Sequence, residues 1–249
     1  MRARANLRRV IHSRLLLLLL LTLTACSSAA PYATTVGVLQ PGATLHVRIG
    51  RATLDGYQPA VGQPRDRFTV SATALSKTEP PGPPKIKPVR GGIAIEALDP
   101  LASLLVRVPD GVALDVDSTQ GDVNVTDVAG NVSVRDERGD VRIFLRNSYA
   151  QATVGTGTIT VAIGATGWPG TLHFSTRRGD VVLSIQENAA CTVHLHTDNG
   201  TLFTDFDLRG VSQGGSETID GAINGGGLSR IDVETASGSI RLLRLHAQA

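Results

Sequence analysis

The chain has 249 residues, a formal net charge of +2, two cysteines and only 4% aromatic residues. Five arginines (Arg2, Arg4, Arg8, Arg9 and Arg14) precede an apolar run from Leu15 to Leu21, so the basic excess belongs to an N-terminal secretory signal. Without them, 24 − 5 leaves 19 basic residues against 22 acidic ones, a net of −3, and no basic stripe remains for a nucleic acid.

The apolar run is too short to span a bilayer comfortably, and small residues follow it. Residues 1–25 therefore read as a signal peptide. Leu23-Thr24-Ala25-Cys26 resembles the lipobox of bacterial lipoproteins. That resemblance implies cleavage before Cys26, acylation of its sulfur, and anchoring to membrane lipid by paired chains. Ser27 after the cysteine implies the outer membrane in a cell with two membranes, and otherwise the outer face of the plasma membrane. An ordinary cleavage signal with a chance cysteine is the alternative. With Cys26 acylated, Cys191 has no intramolecular disulfide partner. It is either a small buried corner residue or a reactive thiol.

Residues 26–35 read as the lipidated cysteine and a tether, and residues 36–249 as one domain. Within it, irregular N-terminal coils fill 36–110, regular repeats 111–205, a glycine-rich insertion 206–230 and a last coil 231–249. Ala43–Ile49, Arg67–Ala74, Gly91–Glu96 and Leu104–Val108 alternate like strands. Gly56–Pro64 is rich in turn residues. Glu79–Lys85 and Pro88 read as a loop, because proline cannot donate to a ladder.

From residue 111 one phrase repeats. Val116-Asp-Ser-Thr-Gln-Gly-Asp-Val-Asn-Val125 and Val134-Arg-Asp-Glu-Arg-Gly-Asp-Val-Arg-Ile143 are its clearest copies, and it recurs around Gly157, Gly179, Gly200 and Gly238. The glycine spacings are 18, 18, 22, 21 and 38 residues. Aligned on the glycine, two positions before it and two after it are apolar in every copy except at Thr204. Period-2 alternation describes strands with one buried face, and no single copy can bury that face alone. The copies must stack, which predicts an all-β fold, a β-solenoid of repeats about 20 residues long.

Leu105-Val-Arg-Val-Pro-Asp-Gly-Val-Ala-Leu-Asp-Val-Asp-Ser-Thr-Gln-Gly-Asp-Val-Asn-Val125 resembles the opening of the putative adhesin family, a DUF4097-type domain with repeated G-D-[VI] motifs. The likeness covers about residues 40–245 and is strongest from Leu104 to Val161. It implies a right-handed β-helix-like solenoid at the cell envelope, and it brings no catalytic residues.

Stacking turns sequence columns into neighbours about 4.8 Å apart. His173, His194 and Asp232 fall in one outward column. Ser175, His196 and Glu234 fall in the next. His173, His194, His196, Asp232 and Glu234 are thus a candidate face for a partner or a divalent metal, the alternative being a solvated sheet with incidental histidines. Trp168 lies in a lengthened turn, Gly164–Gly170, where it either contacts a partner or covers a widened coil. Asp122, Asp140 and Asp180 follow their glycines and either bond their own backbone or form a calcium ladder. No P-loop, dinucleotide fingerprint, CxxC or HExxH is present, so no cofactor is expected.

The resulting expectation is a non-enzymatic, lipid-anchored envelope module for binding, adhesion or structure. Its partner would be an envelope protein, a glycan or a second copy, the last through an exposed terminal coil at Arg241–His246. A carbohydrate-active β-helix enzyme and an envelope-stress or signalling accessory are the alternatives.

Overall fold

The computed structural model describes residues 33–58, 64, 66–74, 83–96, 102–146 and 148–245. The signal, Cys26, residues 26–32 of the tether, most of Glu79–Lys85 and His246 lie outside the described residues. All regular elements described are strands. The N-terminal part holds β1 (Ala33–Val38), β2 (Thr44–Ile49), β3 (Arg51–Tyr57), β4 (Arg67–Ala74), β5 (Lys85–Val89), β6 (Gly92–Glu96) and β7 (Ala102–Pro109). The repeats follow as β8 (Ala113–Ser118), β9 (Val123–Val128), β10 (Val132–Arg138), β11 (Val141–Leu145), β12 (Ala150–Thr156), β13 (Ile159–Ile163), β14 (Thr171–Arg178), β15 (Val181–Gln186), β16 (Cys191–Thr197) and β17 (Leu202–Thr204). The chain ends with β18 (Gly210–Gln213), β19 (Ser216–Ile223), β20 (Ser229–Thr235) and β21 (Ile240–Leu245).

Each coil gives one strand to each of two long sheets. The first runs β1-β4-β7-β3-β9-β11-β13-β15-β21-β17, and the second β18-β19-β16-β20-β14-β12-β10-β8-β2-β6-β5. Coil-to-coil pairing is parallel and in register, as in Val132↔Ala150 and Val141↔Ile159. The aligned apolar positions face inward from both sheets: Leu114, Val132, Ala150 and Leu172 are at most 2% exposed, and so are Val123, Val141, Ile159 and Val181. This is the expected β-solenoid, and its driving force is the removal of those side chains from water, about 1.5–3 kcal/mol for each large one. Leu202 and Thr204 are only half-buried, because β17 ends its sheet and has no coil beyond it.

The coils are not stacked in chain order. β20 lies between β14 and β16, and β21 between β15 and β17. The coil read as last is therefore threaded one level back into the stack. The N-terminal end repeats the device: β2 lies between β6 and β8, and β3 between β7 and β9. Arg241 and its neighbours are thus interior to a sheet, and they offer no terminal edge for self-association. The glycine-rich insertion is a cap: β19 pairs antiparallel with β16, and β18 with β19. At the other end β5 pairs antiparallel with β6, β4 with β7 and β1 with β4. Thr34 and Thr35, read as tether, belong to β1. Pro88, read as loop, sits in β5 at a sheet edge, where a missing N–H costs nothing. Short or proline-bearing outer strands blunt the edges against further pairing.

The corner glycines form the axis of the stack. A Cβ on Gly121 would lie 2.3 Å from Gly50 O, one on Gly139 2.2 Å from Gly121 O, and one on Gly179 2.1 Å from Gly157 O. Gly238 then approaches Gly179 O (2.0 Å) and Gly200 approaches Gly238 O (1.8 Å), so the ladder records the rearranged order. Gly50 belongs to it although the sequence repeat does not reveal it. Its corner is two residues shorter, with Ile49 paired to Ser118 and Ala52 to Val123.

Candidate functional site

The outward face of the second sheet carries two polar columns. One runs His46, Asp115, Ser133, Gln151, His173, Asp232, His194 and Asp220 in register across eight strands. Cross-strand contacts knit it: His46–Asp115 at 3.0 Å, Gln151 to Ser133 at 3.0 Å, His173–Asp232 at 3.2 Å and His194–Asp220 at 2.6 Å. The adjacent column runs Arg48, Asp117, Arg135, Thr153, Ser175, Glu234 and His196.

The five expected face residues share these columns, but in an order set by the threaded coil. Asp232 stands between His173 and His194, and Glu234 between Ser175 and His196. His194, Asp232 and Glu234 each bring a ligand atom within 4.8 Å of the other two. His196 is held aside: Nδ1 meets Thr218 Oγ1 at 2.9 Å and Nε2 meets Asp198 Oδ1 at 3.1 Å. Its ring stacks parallel to that of His194 with centroids 6.4 Å apart. The hydrogen bond to Asp220, with the negative field of Asp220, Asp232 and Glu234, raises the pKa of His194 against a smaller opposing effect of burial. Asp220 had no sequence signal, because its contact depends on the antiparallel pairing of β19. A pocket of about 500 Å³ opens beside this cluster, with Arg230 on its wall.

A concavity of about 950 Å³ forms a groove where the second sheet bends into the glycine corner. It crosses seven strands from Arg48 to His196, six steps of ~4.8 Å, or about 29 Å. Its middle carries the small residues Thr153, Gly155, Ser175 and Thr176 with Arg177 beside them, and charges of both signs run along it, from Arg48, Asp117, Arg135 and Glu137 to Glu234 and Asp198. The ion pairs Arg48–Asp117 (3.9 Å) and Arg135–Asp117 (3.5 Å) are exposed and contribute little to stability. Sequence reading picks out only Ser175, His196 and Glu234 of its lining, because the groove is assembled from neighbouring positions on seven strands that only stacking brings together.

Asp136 also lines the groove yet is only 4% exposed. Ser118, Thr176, Thr235 and Thr197 occupy its column, and their hydroxyls donate to Gly50 O, Gly157 O, Gly179 O and Gly238 O. An ionised carboxylate cannot donate there, and Asp136 Oδ2 has no partner. Burial raises its pKa, with the Arg138 amide and Ser118 pulling the other way. A raised carboxyl holds its proton more tightly when folded, so stability falls as pH rises from the ordinary value through the raised one. Above that window the cost is constant. Asp136→Thr is therefore expected to stabilise by about 1–2 kcal/mol at pH 7, and by less at pH 4. Urea unfolding at the two pH values measures this, and an equal gain at both would remove the charge argument.

Trp168 is 5% exposed and packs into the core, so its ring offers no surface to a partner. It covers the coil widened by Gly164–Gly170. Asp140 N–H donates to Asp122 Oδ1 (3.2 Å), Thr158 N–H to Asp140 Oδ1 (3.0 Å) and Ser239 N–H to Asp180 Oδ1 (2.8 Å). These carboxylates bond the backbone of the next coil rather than their own. Cys191 is fully buried at a corner paired with Ser229, and burial pushes its thiol up to about 11. It stays protonated and unreactive at neutral pH.

Among solved structures, the fold is similar to a putative cell adhesion protein from Clostridium sporogenes, at 11% identity and a TM-score of 0.48, covering 86% of this chain and 99% of that one. It is also similar to a putative adhesin from Bacteroides fragilis, at 8% identity and a TM-score of 0.30, covering 86% and 96%. Comparison with curated proteins finds no match. The family model described as Toastrack DUF4097 matches residues 108–243, which is more than half of the chain and takes in every repeat from Leu114 to Leu242. On that match and on the two-sheet stack of G-D-V corners, the chain belongs to the Toastrack DUF4097 family.

Proposed function

We propose that the chain is a non-enzymatic, lipid-anchored module of the cell envelope that binds an extended segment of another envelope protein in its groove. The groove carries this reading. A trough about 29 Å long, open along the stack, matches an extended peptide of about nine residues at ~3.3 Å each. The small residues Thr153, Gly155, Ser175 and Thr176 in its middle admit a backbone, and the charges of both signs along it suit a mixed-charge peptide. Neither tryptophan nor tyrosine lines it, which favours peptide over glycan, since sugars are held largely by aromatic stacking. The leader and Cys26 support the envelope location and the anchor. Among the described residues, no helix is long and apolar enough to cross a membrane.

The test uses the purified full chain on arrays of extended peptides and of glycans, beside Thr153→Trp, which fills the middle of the groove from an exposed position. The expected result is peptide binding that weakens at least tenfold in the variant. Binding to glycans alone, or equal binding by both proteins, overturns the peptide reading. In cells expressing the full chain, Cys26→Ala is expected to move the protein from the membrane to the soluble fraction, and retention overturns the anchor.

A further inference from the structure

We infer that His194, Asp232 and Glu234 form a binding site for a divalent transition-metal ion of the zinc type. The three residues lie on two neighbouring strands, β16 and β20, and their ligand atoms are mutually within 4.8 Å. A tetrahedral ion with bonds near 2.1 Å needs about 3.4 Å between ligand atoms, so no pair in the cluster has to close by more than about 1.4 Å. Glu234 is exposed and has the rotamer freedom for that movement.

Two further observations point to an ion. The first is the partner behind His194. Its Nδ1 faces Asp220 Oδ1 at 2.6 Å, which places the ring proton on Nδ1 and leaves Nε2 with a free lone pair. A carboxylate behind the imidazole is the arrangement by which metal sites orient a histidine ligand and raise its basicity. The second is Asp232. Its Oδ2 is engaged by His173 Nδ1 at 3.2 Å, whereas its Oδ1 is closed off from water and has no hydrogen-bond partner. Buried oxygens are normally satisfied, and beside His194 and Glu234 an ion would satisfy this one. His173 and Asp220 are thus positioning residues, and His196, with both nitrogens engaged, is outside the ligand set.

One imidazole nitrogen and two carboxylate oxygens suit zinc and its neighbours. Calcium prefers six to eight oxygens and is disfavoured here. Three protein ligands leave a fourth position open to water or to a ligand.

Isothermal titration of Zn²⁺ into the full chain, purified in detergent and stripped with EDTA, is the test, with Ca²⁺ and Mg²⁺ as comparisons. One saturable Zn²⁺ per chain is expected, with Ca²⁺ and Mg²⁺ far weaker. Affinity is expected to fall at least 100-fold in Glu234→Gln and His194→Ala and 10–100-fold in Asp220→Asn, and to change less than twofold in His196→Ala. Glu234 is exposed, so its variant keeps the fold and the test stays decisive if His194→Ala does not. No saturable Zn²⁺ binding by the wild type, or unchanged binding in Glu234→Gln, overturns the site. The metal site does not depend on the peptide reading: Thr153→Trp is expected to leave Zn²⁺ affinity unchanged.

Discussion

Replacing Gly157 by valine is expected to leave no folded protein. A Cβ at this position would lie 1.9 Å from Gly139 O and 2.6 Å from its carbonyl carbon, and the residue holds φ +147°. The obstacle is backbone, so no side chain can swing aside. Moving Gly139 pushes it toward Gly121 O, which a Cβ at 139 would already approach at 2.2 Å, and the misfit passes down the ladder. A loss of about 4 kcal/mol or more is comparable to the whole stability of a domain, roughly 5–15 kcal/mol. Gly167→Ala is the control, because its added Cβ would meet only Ser229 Oγ at 3.6 Å. Its cost is expected to stay within about 0.5 kcal/mol. Circular dichroism and urea unfolding of the two variants separate these outcomes. A folded Gly157→Val protein with near-native stability would show that the corner contacts do not set the coil spacing.

Trp168→Ala is expected to destabilise by about 3–5 kcal/mol. The indole fills the widened coil at 5% exposure, and its Nε1–H donates to Arg230 O at 3.1 Å. Its backbone N–H donates to Ser229 Oγ at 3.0 Å, and the Ser229 hydroxyl donates to Trp168 O at 2.8 Å. All three bonds reach the start of β20 from more than 60 residues away in sequence. Trp168 therefore fastens the threaded coil where it enters the stack. Hydrogen exchange is expected to rise first across residues 229–245, while the coils from Ala113 to Ile163 keep their protection. Trp168→Phe keeps most of the packing and loses one hydrogen bond, for about 1–2 kcal/mol. Exchange that rises evenly over the whole chain, or a loss below about 1 kcal/mol in the alanine variant, would contradict this fastening role.

The candidate metal cluster was half legible in the sequence. Counting back from the corner glycine puts His194 and Asp232 in one column and Glu234 two residues on, and the structure pairs His194 with Asp232 and His196 with Glu234. What the count does not carry is adjacency. Asp232 stands between the two histidines only because β20 enters between β14 and β16. Asp220 reaches His194 through an antiparallel strand that carries no corner glycine. Trp168 illustrates the same limit: a lone aromatic in a long turn reads equally as a contact residue or a plug, and only its hydrogen bonds to Ser229 and Arg230 decide for the plug.

The sequence by itself determined which side chains of the repeats face inward, where their corners fall (Gly50 excepted) and that the copies must stack. Those properties follow from period-2 alternation and from glycine at a turn, which act over a few residues. Only the tertiary structure decided the order of the coils, the antiparallel caps and the groove. Every coil presents nearly the same apolar face and the same corner, so the local pattern is satisfied by any order of stacking. The choice is made by contacts between distant segments: Trp168 on Ser229, β19 over β16, and Gly238 between Gly179 and Gly200.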